Sequence, residues 1–117
     1  LLMELGDVNW RFAGRTLLHF ASSYGYADVA EILIKDGADK AAVSTSDGHL
    51  PIHTASYCGN AAVIEVLLNN GADIVARCEK GVTNTPLHLA ALQGNLKLTQ
   101  MLIRYLKNKH NITAIDL

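Results

Sequence analysis

Three histidines recur at almost constant spacing, and of all the residues in the chain they are the best suited to metal chemistry. His19 and His53 are 34 positions apart, and His53 and His88 are 35 apart. Three imidazoles could share a zinc ion only if each Zn–N distance were about 2.0–2.1 Å. If each histidine belongs to its own packed helical unit, neighbouring helices lie about 8–10 Å apart, which is too far. The spacing therefore favours a structural role, in which each imidazole bonds to a helix-capping hydroxyl and nearby loop backbone. No metal or cofactor is expected.

The two cysteines give no stronger signal for chemistry. Cys58 and Cys78 have neither the spacing of a metal site nor that of a disulfide framework. Reduced thiols in a cytoplasmic or nuclear protein are expected, with a bond between adjacent units as the alternative. The sequence also contains no glycine-rich phosphate loop with a lysine, no nucleophile-elbow serine and no paired acidic motif. We therefore predict that the chain is not an enzyme.

Length and charge narrow the class of partner. The chain has 117 residues, half of them apolar, and a net charge of -1. A charge so close to zero gives no reason to expect nucleic acid or an acidic membrane as a partner. No apolar run approaches the length of a membrane span, so membrane insertion is not expected.

The histidines belong to a longer motif that is repeated along the chain. Its clearest copy is Thr85-Pro86-Leu87-His88-Leu89-Ala90-Ala91, with weaker copies at 16–21 and 50–55. A glycine follows each histidine by six residues, and Gly37-Ala38-Asp39 returns as Gly71-Ala72-Asp73. Several residue types held at one period indicate a repeat array. In each copy a capping residue and a proline or leucine open one helix, a glycine ends it, and a second apolar helix follows. Helices are predicted near 17–24, 27–36, 86–93 and 96–106.

This pattern resembles the ankyrin repeat, whose signature is T-P-L-H-x-A, then a glycine, two leucines and G-A-D before a hairpin loop. The resemblance extends over roughly residues 1–106 and implies an all-α solenoid of helix–turn–helix units with projecting hairpin loops. We predict a single domain over 1–117. It would hold a partial unit at 1–9, complete units at about 10–43, 44–78 and 79–111, and the start of a further unit at 112–117.

Two positions depart from the family pattern. Leu50 stands where the family has a capping threonine, and Leu106 stands where Gly37 and Gly71 predict a helix-ending glycine. The last helix is therefore expected to run on towards Lys107, with a short polar link at 107–111 before the next unit. Both ends resemble slices through a longer array or a multidomain protein, with a terminal cap unit as the alternative.

The resemblance also implies a binding surface. In ankyrin-like arrays the hairpin tips and the exposed side of the first helices form a concave groove, where protein partners bind. Trp10 and Phe12 are large apolar residues at a loop tip, where the ankyrin scaffold does not require them. The alternative is that they cover the N-terminal edge of the array. Mapped onto this chain, the predicted partner-binding residues are Trp10, Phe12, Arg15, Ser23, Tyr24, Asp47, His49, Tyr57, Cys58, Val82, Asn84, Leu92 and Gln93, with Ser46 and Lys80 also at loop tips.

The function we predict from the sequence is non-catalytic protein recognition. One alternative is a regulatory or substrate-recruiting array of a larger enzyme or channel. Another is a purely structural role, in which the edges stack on further units or on another copy. Asn9 loosely matches an asparaginyl-hydroxylase acceptor pattern described for such repeats, but an ordinary turn asparagine is the favoured interpretation.

Overall fold

The computed structural model describes residues 7–78 and 84–115, with side chains described as far as residue 109. In this part of the chain, six helices follow a two-stranded hairpin and are arranged as three consecutive helix pairs. The strands are β1 (Arg11–Phe12) and β2 (Arg15–Thr16); the helices are α1 (Leu17–Tyr24), α2 (Ala27–Lys35), α3 (Pro51–Cys58), α4 (Ala61–Asn69), α5 (Pro86–Leu92) and α6 (Leu96–Ile115). The predicted helical repeat architecture is confirmed.

The first helix of each pair begins at the predicted capping position. Thr16 and Thr85 have extended backbones, and each hydroxyl accepts a hydrogen bond from the histidine N–H three residues on, at 3.3 Å. Leu50 has no hydroxyl to offer. There the N–H of His53 donates to the backbone carbonyl of Leu50 at 3.0 Å. A backbone acceptor therefore replaces part of the missing cap, which explains how leucine is tolerated at this start.

A glycine ends α1 for two reasons. Gly25 adopts a left-handed conformation (φ 79°) that closes α1. It also leaves space for Asn60 of the next unit, whose amide would lie 3.0 Å from a Cβ at this position. That amide donates to the carbonyls of Ser22 and Ser23 at 2.7 and 3.0 Å. The last carbonyls of α1 are thus satisfied by the following unit, so helix capping and unit stacking depend on the same glycine.

The core runs along the array between successive units. The first helices pack in the order α1–α3–α5, and α2 packs against α4. The backbone of α6 packs closely on α5 and approaches α4 less closely. The fully buried side chains that fill these contacts are mainly aliphatic and include Leu18, Ile52, Val63, Ile64, Leu67, Leu98 and Leu102. Each unit thus buries its apolar face against its neighbours, as expected of a solenoid.

The loops stack on one another as well. In the hairpin, Arg11 pairs with Thr16 and Phe12 with Arg15 in antiparallel register. The Arg11 guanidinium donates to the carbonyls of Gly14 (2.8 Å) and Val43 (2.9 Å), which joins the first loop to the second. In the preceding turn, Asn9 accepts from the N–H of Asp39 at 2.8 Å and donates to the carbonyl of Gly37 at 3.3 Å. Asn9 therefore has a structural role in joining two turns.

The first two loops approach each other closely at Gly14, and we expect Gly14→Ala to destabilise the domain. Its φ is 80°, and an added Cβ would overlap the Thr45 hydroxyl. Together the backbone strain and the overlap should lower the free energy of unfolding by about 2 kcal/mol. Urea unfolding followed by circular dichroism measures it. Gly37→Ala is the matched control, since Gly37 also has a positive φ but open space around it. Equal losses in the two variants would contradict the close approach.

One expectation from the sequence is wrong. The polar link predicted at 107–111 is helical, because α6 continues without interruption to Ile115. Leu106 accounts for this physically: it packs partly buried against the core, and leucine does not favour the left-handed conformation that ended the earlier helices. Residues 116–117 lie outside the described part, and the unit boundaries stay predictions. Among the described residues, no helix is both long and apolar enough to cross a bilayer.

Candidate functional site

Six of the predicted partner-binding residues line one surface pocket of about 470 Å³ between the first and second units. Arg15 comes from β2, and Ser23 comes from the last turn of α1. Asp47 and His49 come from the loop between α2 and α3. Tyr57 and Cys58 are exposed residues of the last turn of α3. Thr54 is a buried residue from the middle of the same helix. The pocket therefore contains loop and first-helix residues from two neighbouring units.

Asp47 and His49 form the polar wall of this pocket. The N–H of His49 donates to the Asp47 carboxylate at 3.0 Å, and His49 Nδ1 lies 3.6 Å from its other oxygen. Burial lowers the pKa of His49, and Arg15 adds to this, although Asp47 opposes it. Burial alone would raise the pKa of Asp47, but the hydrogen bond from His49 and the nearby charges lower it overall. At neutral pH the wall is therefore a carboxylate beside a neutral imidazole.

Arg15 and Tyr57 complete the pocket. The guanidinium of Arg15 lies 5.9 Å from the centre of the Phe20 ring, and its Nε is buried without a hydrogen-bond partner. The Tyr57 ring is about half exposed and lies 6.3 Å from the His49 ring. One cation, one anion, an imidazole and a phenol are thus presented on a surface fixed by two helix ends. Such a surface is suited to hydrogen bonding with a polar peptide segment.

His19 and His53 have the structural role predicted for the repeated histidines. His19 Nδ1 accepts from the N–H of Thr16 at 3.1 Å, which requires Nε2 to carry the proton and donate to the carbonyl of His49 at 2.8 Å. His53 repeats the arrangement with the N–H of Leu50 (3.0 Å) and the carbonyl of Ala76 (2.7 Å). Both ring nitrogens are occupied by backbone groups. Within residues 7–78 and 84–109, no three potential ligands lie close enough to hold a metal ion.

The third unit presents a separate, more apolar depression. Asn84, His88, Ala91 and Leu92 line a space of about 550 Å³, and Gln93 is exposed beside it. His88 Nδ1 lies 2.8 Å from the Thr85 hydroxyl, as in the first unit, but the ring is exposed. The structure therefore does not bring these predicted residues into the first pocket. Val82 and Lys80 lie outside the described residues.

The remaining predicted residues are exposed aromatics outside both depressions. The Phe12 side chain is 63% exposed, and its ring lies 6.4 Å from that of Phe20, so it partly covers the first helix. Trp10 is also exposed in the hairpin. Tyr24 stacks on Tyr26, with ring centres 5.7 Å apart. Tyr24 does not line the first pocket.

One member of the pocket, Thr54, was not among the residues predicted from the motif. It lies on the buried side of α3, where a repeat pattern indicates packing rather than binding. Cys58 was predicted as a partner-binding residue, and it lines the pocket with His49. Its sulfur lies 3.9 Å from the Ser23 hydroxyl of the preceding unit.

Comparison with protein families gives two matches that together extend over nearly the whole chain. A family model for three copies of the ankyrin repeat matches residues 1–78. A model for a single ankyrin repeat matches residues 83–117. No curated protein matches the chain.

Proposed function

This chain belongs to the ankyrin repeat family, and we propose that it binds a partner protein on the concave face formed by its hairpin loops and first helices. Ankyrin repeats generally act as protein–protein interaction modules and are typically non-catalytic. The proposal for this chain concerns which face is used and which residues contact the partner.

The observation that carries the proposal is the pocket shared by the first two units. Six residues selected for their positions in the repeat lie around one space of about 470 Å³. Their backbones belong to helix ends and to a loop closed by a 2.8 Å bond from the Ser44 N–H to the His49 carbonyl. A surface held in this way loses little conformational freedom when a partner binds, so less of the contact energy is lost to ordering.

The chemistry of the pocket suggests how a partner would contact it. Tyr57 offers an exposed ring beside His49, and tyrosine is among the residues that most often dominate binding energy at interfaces. Arg15 and Asp47 bring opposite charges to the lining, so a partner segment with both hydrogen-bond donors and acceptors can pair with both. We therefore propose a polar partner segment whose side chain or backbone enters beside Tyr57.

We expect replacement of two exposed tyrosines, Tyr24→Ala with Tyr57→Ala, to eliminate partner capture. Loss of about 1 kcal/mol at each position would weaken binding roughly thirtyfold. The immobilised domain would be exposed to cell extract, and the captured proteins would be quantified by mass spectrometry. Both rings are largely exposed, so helicity measured by circular dichroism should be unchanged.

The control is Ile32→Ala, which removes a large exposed apolar side chain from α2, a second helix away from the concave face. Proteins captured by the parent domain and by this control, but lost from the double variant, are the partners that the proposal requires. If the double variant captures the same proteins at the same level, the concave face is not the binding surface.

We also propose a cytoplasmic or nuclear location. Cys58 is exposed and Cys78 is buried, and both are free thiols in the structure. An exposed thiol that lines a binding pocket suits a reducing compartment, where it stays available and unoxidised.

A further inference from the structure

The last helix, α6, has a charge composition unlike that of the rest of the chain. It contains four cationic residues and no aspartate or glutamate; the cations are Lys97, Arg104, Lys107 and Lys109. The net charge of the whole chain is -1, so with +4 in α6 the remaining residues together carry -5. Lys97, Arg104 and Lys107 form no ion pair with any carboxylate of the described residues. Their charge is therefore available to a partner.

A groove lies beside these cations, between the second helices of units two and three. Its volume is about 380 Å³, and it exists because α6 approaches α4 less closely than α2 does on the other side. Residues of both helices line it: Glu65, Leu68, Asn69, Met101, Arg104, Tyr105 and Asn108. None of these residues lines the pocket between the first two units. The groove is therefore a separate surface.

The groove combines an apolar floor with a polar rim. Leu68 is buried and Met101 is half-buried, whereas Arg104 and Asn108 are exposed. Arg104 lines the groove itself, and helical spacing places Lys97 on the same face of α6 as Met101, Arg104 and Asn108. Glu65 is the one carboxylate in the lining, and it faces an excess of positive charge on the opposite helix.

We propose that the groove between α4 and α6 binds an acidic peptide segment of a second protein. An apolar side chain of that segment would lie over Leu68 and Met101, and its carboxylates would pair with Arg104, Lys107 and Lys97. The positive charge of α6 is the reason for proposing an acidic segment. A recessed apolar floor favours a peptide over an anionic membrane, because a bilayer requires apolar side chains that project from the surface.

The test uses a fluorescein-labelled peptide of glutamates flanking a central pair of leucines, titrated with the purified domain and followed by fluorescence anisotropy. The matched peptide has glutamine at every glutamate position. Binding of the glutamate peptide should weaken about tenfold in the Arg104→Glu, Lys107→Glu variant, which corresponds to about 1.4 kcal/mol. It should also weaken with added salt, because the pairs are exposed.

Two further variants complete the test. Lys35→Glu reverses an exposed cation on α2 and should leave the affinity unchanged. The Tyr24→Ala, Tyr57→Ala variant should also bind the peptide normally, so failure of the concave-face proposal is distinguishable from failure of this one. Equal binding of the glutamine peptide, or no effect of the α6 reversal, would overturn the proposal. So would binding of phosphatidylserine vesicles without binding of the peptide.

Discussion

Replacing His53 with alanine is expected to lower the free energy of unfolding by about 3–4 kcal/mol. The side chain is fully buried, and its two ring nitrogens are bonded to the N–H of Leu50 and the carbonyl of Ala76. Removal leaves both backbone groups without that partner, each at a cost of about 1–3 kcal/mol, and leaves a cavity. Since domains are commonly stable by only about 5–15 kcal/mol, this loss is a large fraction of the total.

His88→Ala is the matched control for this prediction. His88 occupies the equivalent position in the third unit, but this residue is exposed, and within residues 7–78 and 84–109 its ring hydrogen-bonds only to Thr85. Water can hydrogen-bond to the Thr85 groups that lose the imidazole, so the free energy of unfolding should fall by about 1 kcal/mol or less. Urea unfolding of the two variants, followed by circular dichroism, measures the difference. Similar losses would show that the bond to the next loop does not stabilise the array.

Acidification below pH 6.5 is expected to destabilise the domain through its buried histidines, among them His19 and His53. Burial lowers the pKa of His19 and of His53 below the ordinary value of 6.5. The folded state therefore binds fewer protons than the unfolded state, and the free energy of unfolding falls as the pH decreases from 6.5 towards the folded pKa values. Each histidine contributes at most about 1.4 kcal/mol per pH unit, and His49, whose pKa is also lowered, adds to the same loss. Together they give about 2–4 kcal/mol per unit at the steepest point.

Hydrogen bonding explains why protonation is disfavoured in the fold. Nδ1 of each ring accepts from a backbone N–H, and a proton at Nδ1 would face that donor directly. Urea unfolding at pH 7.5, 6.5 and 5.5 tests the prediction, and the buried ring signals in an NMR titration identify the groups. Stability that is flat or rises between pH 6.5 and 5.5 would contradict it. Asp47 does not titrate between pH 7.5 and 5.5, because its pKa is lowered further below that range.

The repeat period made most of the fold predictable. Once Thr85 and His88 were aligned with Thr16 and His19, the start of each first helix followed from capping chemistry, as did the glycine that ends α1 and α3. The buried role of His19 was predictable for the same reason. A residue such as Asn60 was harder, because its bonds to the carbonyls of Ser22 and Ser23 join different units and appear in no local pattern.

The candidate site was only partly predictable. The sequence selected Arg15, Asp47 and Tyr57 as separate surface residues, but their convergence on one pocket depends on how the loop before α3 turns. The length of α6 beyond Leu106 was underestimated. The motif shows that the helix-ending glycine is absent, but it does not show where the helix then ends. The groove between α4 and α6 depends on that packing and could not have been predicted from composition.

The stacking of the units has a mechanical consequence. The described domain measures about 52 × 29 × 22 Å, and its closest contacts join each helix to its immediate neighbours along the long axis. Tension applied at the two ends would be carried by every interface in series, so the weakest interface would open first while the others stay closed. We expect such a chain to lengthen in steps, with each step releasing a single helix pair while the next stays folded.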